Sequence, residues 1–237
     1  MVFTGKLTFL RIGKTGTTAL RIPIAAHMDV HPDARIKVVG HNVLLRDMLP
    51  PEMGAVALTI REPVSRYVSA FNSRLRMGKP RYDNPWNKAE AKAFGLFKTP
   101  NMLAEALYSD DQKTRKRARK AMEAIRMVKK GYAHFLESIE LLETMKDRIV
   151  FIGAQEHLAS DFELFKKLLG MDPSLTLPDD DIASHRTPEG YEKTVSELGR
   201  ANLARFLEDD YKLYEWCADR RLELAAAHES ADIPADG

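Results

Sequence analysis

A short apolar run, Leu7-Thr8-Phe9-Leu10-Arg11-Ile12, gives way to Gly13-Lys14-Thr15-Gly16-Thr17-Thr18 near the start of the chain. Two glycines, one lysine and three hydroxyls between a strand and a helix make a cradle for a phosphate-like anion. Exposed backbone N–H groups and the positive end of a helix dipole both attract negative charge there. The candidate ligands are Gly13, Lys14, Thr15, Gly16, Thr17 and Thr18, with Arg11 at the strand end.

A second set follows another apolar run, Ala55-Val56-Ala57-Leu58-Thr59-Ile60, which ends in Arg61-Glu62-Pro63. Proline suits the first turn of a helix, where its missing N–H costs nothing. Val64, Val68, Phe71 and Leu75 then repeat as one apolar helical face, while Ser65, Ser69, Asn72 and Arg76 fall on another. Arg61 and Ser69 are placed to converge on one oxyanion through a guanidinium fork and a hydroxyl. Alone, Arg61-Glu62 reads equally as a surface pair. Both sets, however, lie where strand C-termini meet helix N-termini, the ligand-binding rim of open α/β sheets. Two anion sites on one rim point to a ligand with two phosphate groups.

The first loop departs from the P-loop rule G-x-x-x-x-G-K-[ST], which needs glycine where this chain has Thr8. It resembles instead the P-K-T-G-T-T motif of sulfotransferases that use 3′-phosphoadenosine 5′-phosphosulfate (PAPS), with Gly13 where proline is usual. Arg61-Glu62-Pro63-Val64-Ser65-Arg66-Tyr67-Val68-Ser69-Ala70-Phe71 is similar throughout to that family's R-[DE]-P-x-x-R-x-x-S-A-[YF] motif. The stretch from Phe151 to Phe162 resembles its I-G-x-x-E-x-L-x-x-D-F, and Phe206 to Tyr214 its C-terminal Y-x-x-D-Y-x-L-[FY]. The resemblance is nearest to the carbohydrate-type branch. It implies a P-loop nucleotide hydrolase-like (sulfotransferase) fold with extra C-terminal helices. It further implies PAPS as co-substrate, no required metal, and a hydroxyl (or amine) of a glycan-like acceptor. Lys14 would neutralise the leaving phosphate, Thr15 to Thr18 would hold the 5′-phosphate, and Arg61 and Ser69 the 3′-phosphate. Two other readings stay open: a P-loop kinase using ATP and Mg²⁺, and a non-catalytic module that binds anions or nucleic acid.

Sulfuryl transfer needs a base, and histidine suits neutral pH. His41 follows Ile36-Lys37-Val38-Val39-Gly40 at a second strand's end, and the resemblance carries the family's histidine onto it; a plain turn histidine is the alternative. His31, His27 and His185 are less well aimed. Arg186 could add a contact to the 3′-phosphate from the irregular segment around it. Arg81, Tyr82 and Trp86, in an aromatic-rich stretch from Met77 to Lys98, are the acceptor-side candidates. The basic run Lys113 to Lys120 could attract a polyanion or form a solvated face. No aromatic residue is interleaved for stacking on bases, which argues against nucleic acid.

The elements that must position these groups alternate between short apolar runs and helical patterns. That predicts an α/β domain with a mainly parallel central sheet flanked by helices. Strands are expected at 7–12, 36–39, 55–60 and 148–152, with helices starting near Thr17, Pro63 and His157. Residues 77–98 read as a loop. Helices are expected over 101–108, 110–130 and 131–145, and a long helical region over 191–227, broken near 208–210. One sulfotransferase-like domain over residues 1–228, with a helical elaboration at about 99–146 and a fraying tail at 229–237, fits the length of 237 residues. A net charge of +2 makes any anion site local, and the single cysteine, Cys217, excludes an internal disulfide. No apolar stretch approaches the ~20 residues of a membrane span. With no signal-like apolar start, a cytoplasmic protein is the expectation; the acceptor and the oligomeric state are not legible.

Overall fold

The computed structural model describes residues 2–180 and 187–231. Four strands, β1 (Leu7–Leu10), β2 (Ile36–Val38), β3 (Ala55–Ile60) and β4 (Ile149–Ala154), form one sheet in the order β2-β1-β3-β4. Every pairing is parallel, with Leu10 opposite Leu58 and Thr59 opposite Gly153. The chain leaves β1 for β2 on one side and returns to β3 on the other. The loops after β1 and β3 therefore diverge, opening a crevice at the strand C-termini. Both motif loops sit at that switch point.

Helix α1 (Thr17–Val30) links β1 to β2, and α2 (Pro63–Leu75) follows β3. Then come α3 (Lys88–Leu96), α4 (Pro100–Ala106), α5 (Gln112–Ala124), α6 (Tyr132–Leu136) and α7 (Ile139–Met145) before β4. Helices α8 (Leu158–Leu169), α9 (Glu197–Phe206) and α10 (Glu208–Ala231) complete the chain. The period-2 pattern divides the sheet. Leu10, Val56, Leu58, Ile60 and Ile152 pack with Tyr132, Phe135, Leu142, Leu213 and Cys217 on one face. Leu7, Phe9, Ala57 and Phe151 pack with Leu20, Ile24, Phe162 and Phe165 on the other. A third cluster joins Val64, Tyr67 and Phe71 of α2 to Phe94, Leu103, Ala118, Met122 and Leu203 of the surrounding helices.

Several boundaries differ from the sequence reading. β1 stops at Leu10 rather than Ile12, and β4 runs on to Ala154. The stretch read as a loop over 77–98 contains α3, started by a capping box in which Asn87 Oδ1 accepts from Glu90 N at 2.8 Å and Glu90 Oε2 from Asn87 N at 3.2 Å. The helix expected over 131–145 is two, parted at Glu137, whose φ is 65°. Residues 191–196 carry no helix, because Ser196 caps α9. The second break falls at Leu207, and α10 extends to Ala231, inside the segment expected to fray.

Glu90, fully buried, holds the neighbourhood of this loop together. Its carboxylate accepts from Arg74 at 2.8 and 2.9 Å and from Arg126 Nε at 3.0 Å. Burial alone would raise its pKa; the bonds from Arg74, the Arg126 and Asn87 backbones outweigh it and hold the carboxyl below its ordinary value. Arg74 also donates to the Asn84 carbonyl at 3.1 Å, so the buried cluster pins residues 84–87 and thereby the turn that carries Arg81 and Tyr82. Glu90→Ala would leave Arg74 charged and unpaired in the interior, at a cost of about 3–5 kcal/mol. Urea unfolding should register that loss, with Glu90→Gln intermediate between the two.

Candidate functional site

The first loop is built around a buried hydroxyl cluster. Thr59, on β3, lies 2.8 Å from Thr15 Oγ1 and 3.1 Å from Thr17 Oγ1. Both threonines also reach the Ile12 carbonyl, at 2.9 and 3.4 Å. Their hydroxyls thus tie the loop to the sheet instead of facing the cleft. Thr15 is fully buried, which corrects the expectation that its hydroxyl would hold the ligand. With these anchors set, the backbone enters the left-handed region at Lys14 (φ 72°) and Gly16 (φ 85°). Helix α1 begins with no side-chain cap, so its first N–H groups point to the cleft unclaimed by side chains. Thr8, the residue that breaks the P-loop rule, is inside β1 with its hydroxyl donating to the Met53 carbonyl at 2.6 Å.

The second loop is clasped by Tyr132. Its hydroxyl accepts from the Arg61 N–H at 2.7 Å and donates to the Arg61 carbonyl at 2.6 Å. Glu62 caps α2, accepting from Val64 N at 3.2 Å and Ser65 N at 2.7 Å. The Arg61 guanidinium rests on Ser65 Oγ through Nε at 2.8 Å, and Arg61 lines the cleft. Ser69 and Asn72, one turn apart, face the same space. Asn72 is buried and donates to the Glu192 carbonyl at 2.6 Å, while its Oδ1 has no partner among the described residues. Arg66 joins the two loops. Its Nε donates to the Gly13 carbonyl at 3.1 Å, Nη2 donates to the Lys130 carbonyl, and the guanidinium lies 5.4 Å from the Tyr132 ring centre.

The two weaker sequence similarities prove to be fastenings. Glu156 accepts from Glu62 N at 2.9 Å, and the Tyr211 hydroxyl donates to Glu62. Asp161 accepts from Ala154 N at 2.6 Å and from Arg221 Nε at 2.9 Å. Asp210 accepts from Ala133 N at 2.9 Å, above a glycine, Gly131, whose Cβ would meet the Asp210 carboxylate at 2.2 Å.

Together the loops border a cleft of about 540 Å³. Its described walls carry six cations, Arg11, Lys14, Arg21, Arg61, Arg81 and Lys193, and no carboxylate. Burial, then the charges of Arg76, Arg61, Arg66 and Arg81, pulls Lys14 down to about 7. Burial likewise lowers Arg61. Gly13, Gly16, Thr18, Ser69, His41, Arg81 and Tyr82 line the cleft, as does Thr17, although its hydroxyl is taken by Thr59 and the Ile12 carbonyl. Trp86 does not: its indole N–H donates to the Arg74 carbonyl at 2.6 Å and its ring stacks on Phe94 at 4.9 Å. Arg186 and His185 lie outside the described residues. Of the missed wall residues, Arg21 was within reach of the sequence, since it stands one helical turn beyond Thr17 and Thr18. Thr187, Lys193 and Met127 come from segments with no local signal, and Gln155 stands at an unspecified position of the stretch from Phe151 to Phe162. The basic run forms one face of α5 and contributes nothing to the cleft.

His41 has an unexpected partner. Arg11 Nη2 donates to its Nε2 at 2.7 Å, and His41 Nδ1–H donates to the Arg11 carbonyl at 3.2 Å. The ring is therefore neutral, with its basic lone pair covered, and burial followed by the Arg11 charge lowers its pKa. No group of three or more His, Cys, Asp or Glu among the described residues is arranged to hold a metal. Comparison with family models, with curated proteins and with solved structures found no match.

Gly16→Ala meets a left-handed φ, besides Leu158 and Gln155 side chains at 3.2 and 3.3 Å from the new Cβ. It should cost about 1–2 kcal/mol and misalign the loop, whereas Gly13→Ala, with open space at its Cβ, should be silent in a thermal melt. Lys14 gives a second test. Because its folded pKa lies below the unfolded one, the unfolded chain holds more protons between the two values. Its effect on stability therefore becomes more favourable as pH rises from about 7. Lys14→Met should stabilise the ligand-free protein at neutral pH, with the gap to the native chain closing toward about pH 10.5 in urea titrations.

Proposed function

We propose that this chain is a PAPS-dependent sulfotransferase acting on a hydroxyl-bearing, glycan-like acceptor, on a P-loop-like fold. The observation that carries this reading is the pairing of two anion-holding ends in one cleft with no carboxylate among its described walls. Lys14 and the uncapped start of α1 form one end, and Arg61 with Ser69 forms the other, on adjacent strands β1 and β3. A donor with phosphate at both the 5′ and 3′ positions matches that division. A nucleoside triphosphate concentrates its charge at one end and leaves Arg61 and Ser69 without a role. The chain's likeness to the two family motifs supports the same assignment.

In this reading the acceptor oxygen attacks sulfur in line with the leaving group. A new O–S bond forms as the S–O bond to the 5′-phosphate breaks, and the electron pair stays on adenosine 3′,5′-bisphosphate. Lys14 meets the charge that grows on the leaving oxygen. Its lowered pKa belongs to the ligand-free cleft; a bound polyanion favours the protonated form and restores the charge when it is needed. The acceptor proton goes to His41 Nε2. Arg81 and Tyr82 stand on the acceptor side of the wall.

Calorimetric titration with adenosine 3′,5′-bisphosphate tests the donor assignment. Binding should need no Mg²⁺ and weaken by about 10- to 100-fold in Arg61→Ala, the loss expected for a charge-assisted bond. Binding of ATP–Mg²⁺ without binding of the bisphosphate would overturn it. Transfer from radiolabelled donor should vanish in Lys14→Ala and fall by about 10²–10⁴ in His41→Ala, with the bisphosphate still bound by the latter.

A further inference from the structure

The donor accounts for two of the cationic groups on the cleft wall, Lys14 and Arg61. Arg11, Arg21 and Lys193 remain, with no carboxylate among the described wall residues beside them. Arg11 is the most informative of these. It is half-buried, its Nε is buried with no hydrogen-bond partner among the described residues, and its Nη2 is spent on a neutral histidine nitrogen. A guanidinium offers five donors in a planar fork that suits a carboxylate, sulfate or phosphate far better than an imidazole lone pair. Arg21 lies close enough to repel it. A strong donor set that has to settle for a weak acceptor is waiting for an anion.

From this we infer that the acceptor itself carries a negative group close to its reactive hydroxyl, that Arg11 and Arg21 bind this group, and that drawing Arg11 onto it uncovers Nε2 of His41. The inference takes the word acceptor from the sulfotransferase reading and specifies the chemical class of that acceptor. Capture and activation become one event. Before an acceptor docks the base is capped by Arg11, so the donor's reactive sulfur faces no competent base for water. When the anionic acceptor docks, Arg11 turns to it and the lone pair of Nε2 becomes free. The acceptor O–H proton passes to Nε2 as the O–S bond forms and the bisphosphate leaves, making an imidazolium still bonded through Nδ1–H to the Arg11 carbonyl. Neutral acceptors lack the means to move Arg11 and meet a capped base. Arg11 acts on the proton transfer through His41 and is in that respect a positioning residue.

The test follows the His41 ring by NMR in protein saturated with adenosine 3′,5′-bisphosphate, which keeps small anions out of the donor site. Glucuronate and its neutral methyl ester, which differ by a single charge, serve as probes. The charges facing His41 are those of Arg11, Arg21 and Lys130, all positive. Glucuronate should therefore raise the histidine's pKa by about one unit as it withdraws Arg11 and adds a negative neighbour, and the ester should leave it unmoved. In Arg11→Gln the ring should titrate higher before any probe is added, and the response to glucuronate should shrink at least several-fold. An unchanged titration with glucuronate, or equal responses to acid and ester, overturns the inference. Failure of the bisphosphate to bind would instead count against the donor reading. If the bisphosphate does not bind and glucuronate still raises the histidine's pKa, the Arg11 anion site stands and its link to sulfuryl transfer falls.

Discussion

Six positive side chains surround one cleft with no carboxylate among them on its described walls, and Coulomb repulsion works to spread them apart. Everything around the cleft supplies the opposing restraint. That restraint comes from neutral groups and the backbone rather than from countercharges on the wall. Three threonine hydroxyls bind the first loop to β3, and a tyrosine hydroxyl grips both backbone groups of Arg61. Arg66, itself a cation, is turned away from the cleft onto carbonyl oxygens and an aromatic ring. Carboxylates appear only one layer back, on Glu62, Glu156 and Asp161, where they fix backbone N–H groups. With positive neighbours and burial together, Lys14 loses its proton readily.

The layout of the sheet and of the two loops on its rim was legible because it rests on local rules. Apolar runs of strand length, a glycine-rich turn and proline at the first helical position each carry their own physical reason. Arg61 and Ser69 could be paired from helical spacing alone. What was not legible depends on groups far apart in sequence. Thr15 reads as a ligand residue until Thr59, on another strand, takes its hydroxyl inward. Trp86 reads as a sugar-stacking residue until Phe94 and the Arg74 carbonyl claim its ring and N–H. The helix over 88–96 was hidden behind an aromatic, proline-rich approach, although Asn87 and Glu90 spell a capping box. The break at Glu137 has no glycine or proline to announce it, only a positive φ.

His41 shows a different limit. Its position on the rim follows from the strand before it, but its chemical state does not. Whether a histidine works as a base is decided by what its two nitrogens touch, and here both touch Arg11, a residue that reads naturally as part of the donor loop. Sequence spacing places residues on faces; it does not say which neighbour a long, flexible guanidinium will choose.

Glu62 has a consequence of another kind. Sitting at the head of α2, it is reached by Glu156 through its N–H, and its carboxylate by Arg200 at 3.4 Å and by Tyr211. Those partners come from the turn after β4, from α9 and from α10, which the ribosome delivers long after both anion loops have emerged. A nascent chain that has made both rim loops in its first third still lacks the struts that hold them in register. Competence to bind is thus acquired last, as a property of the finished chain, and a partly synthesised or C-terminally clipped molecule carries the motifs without the site.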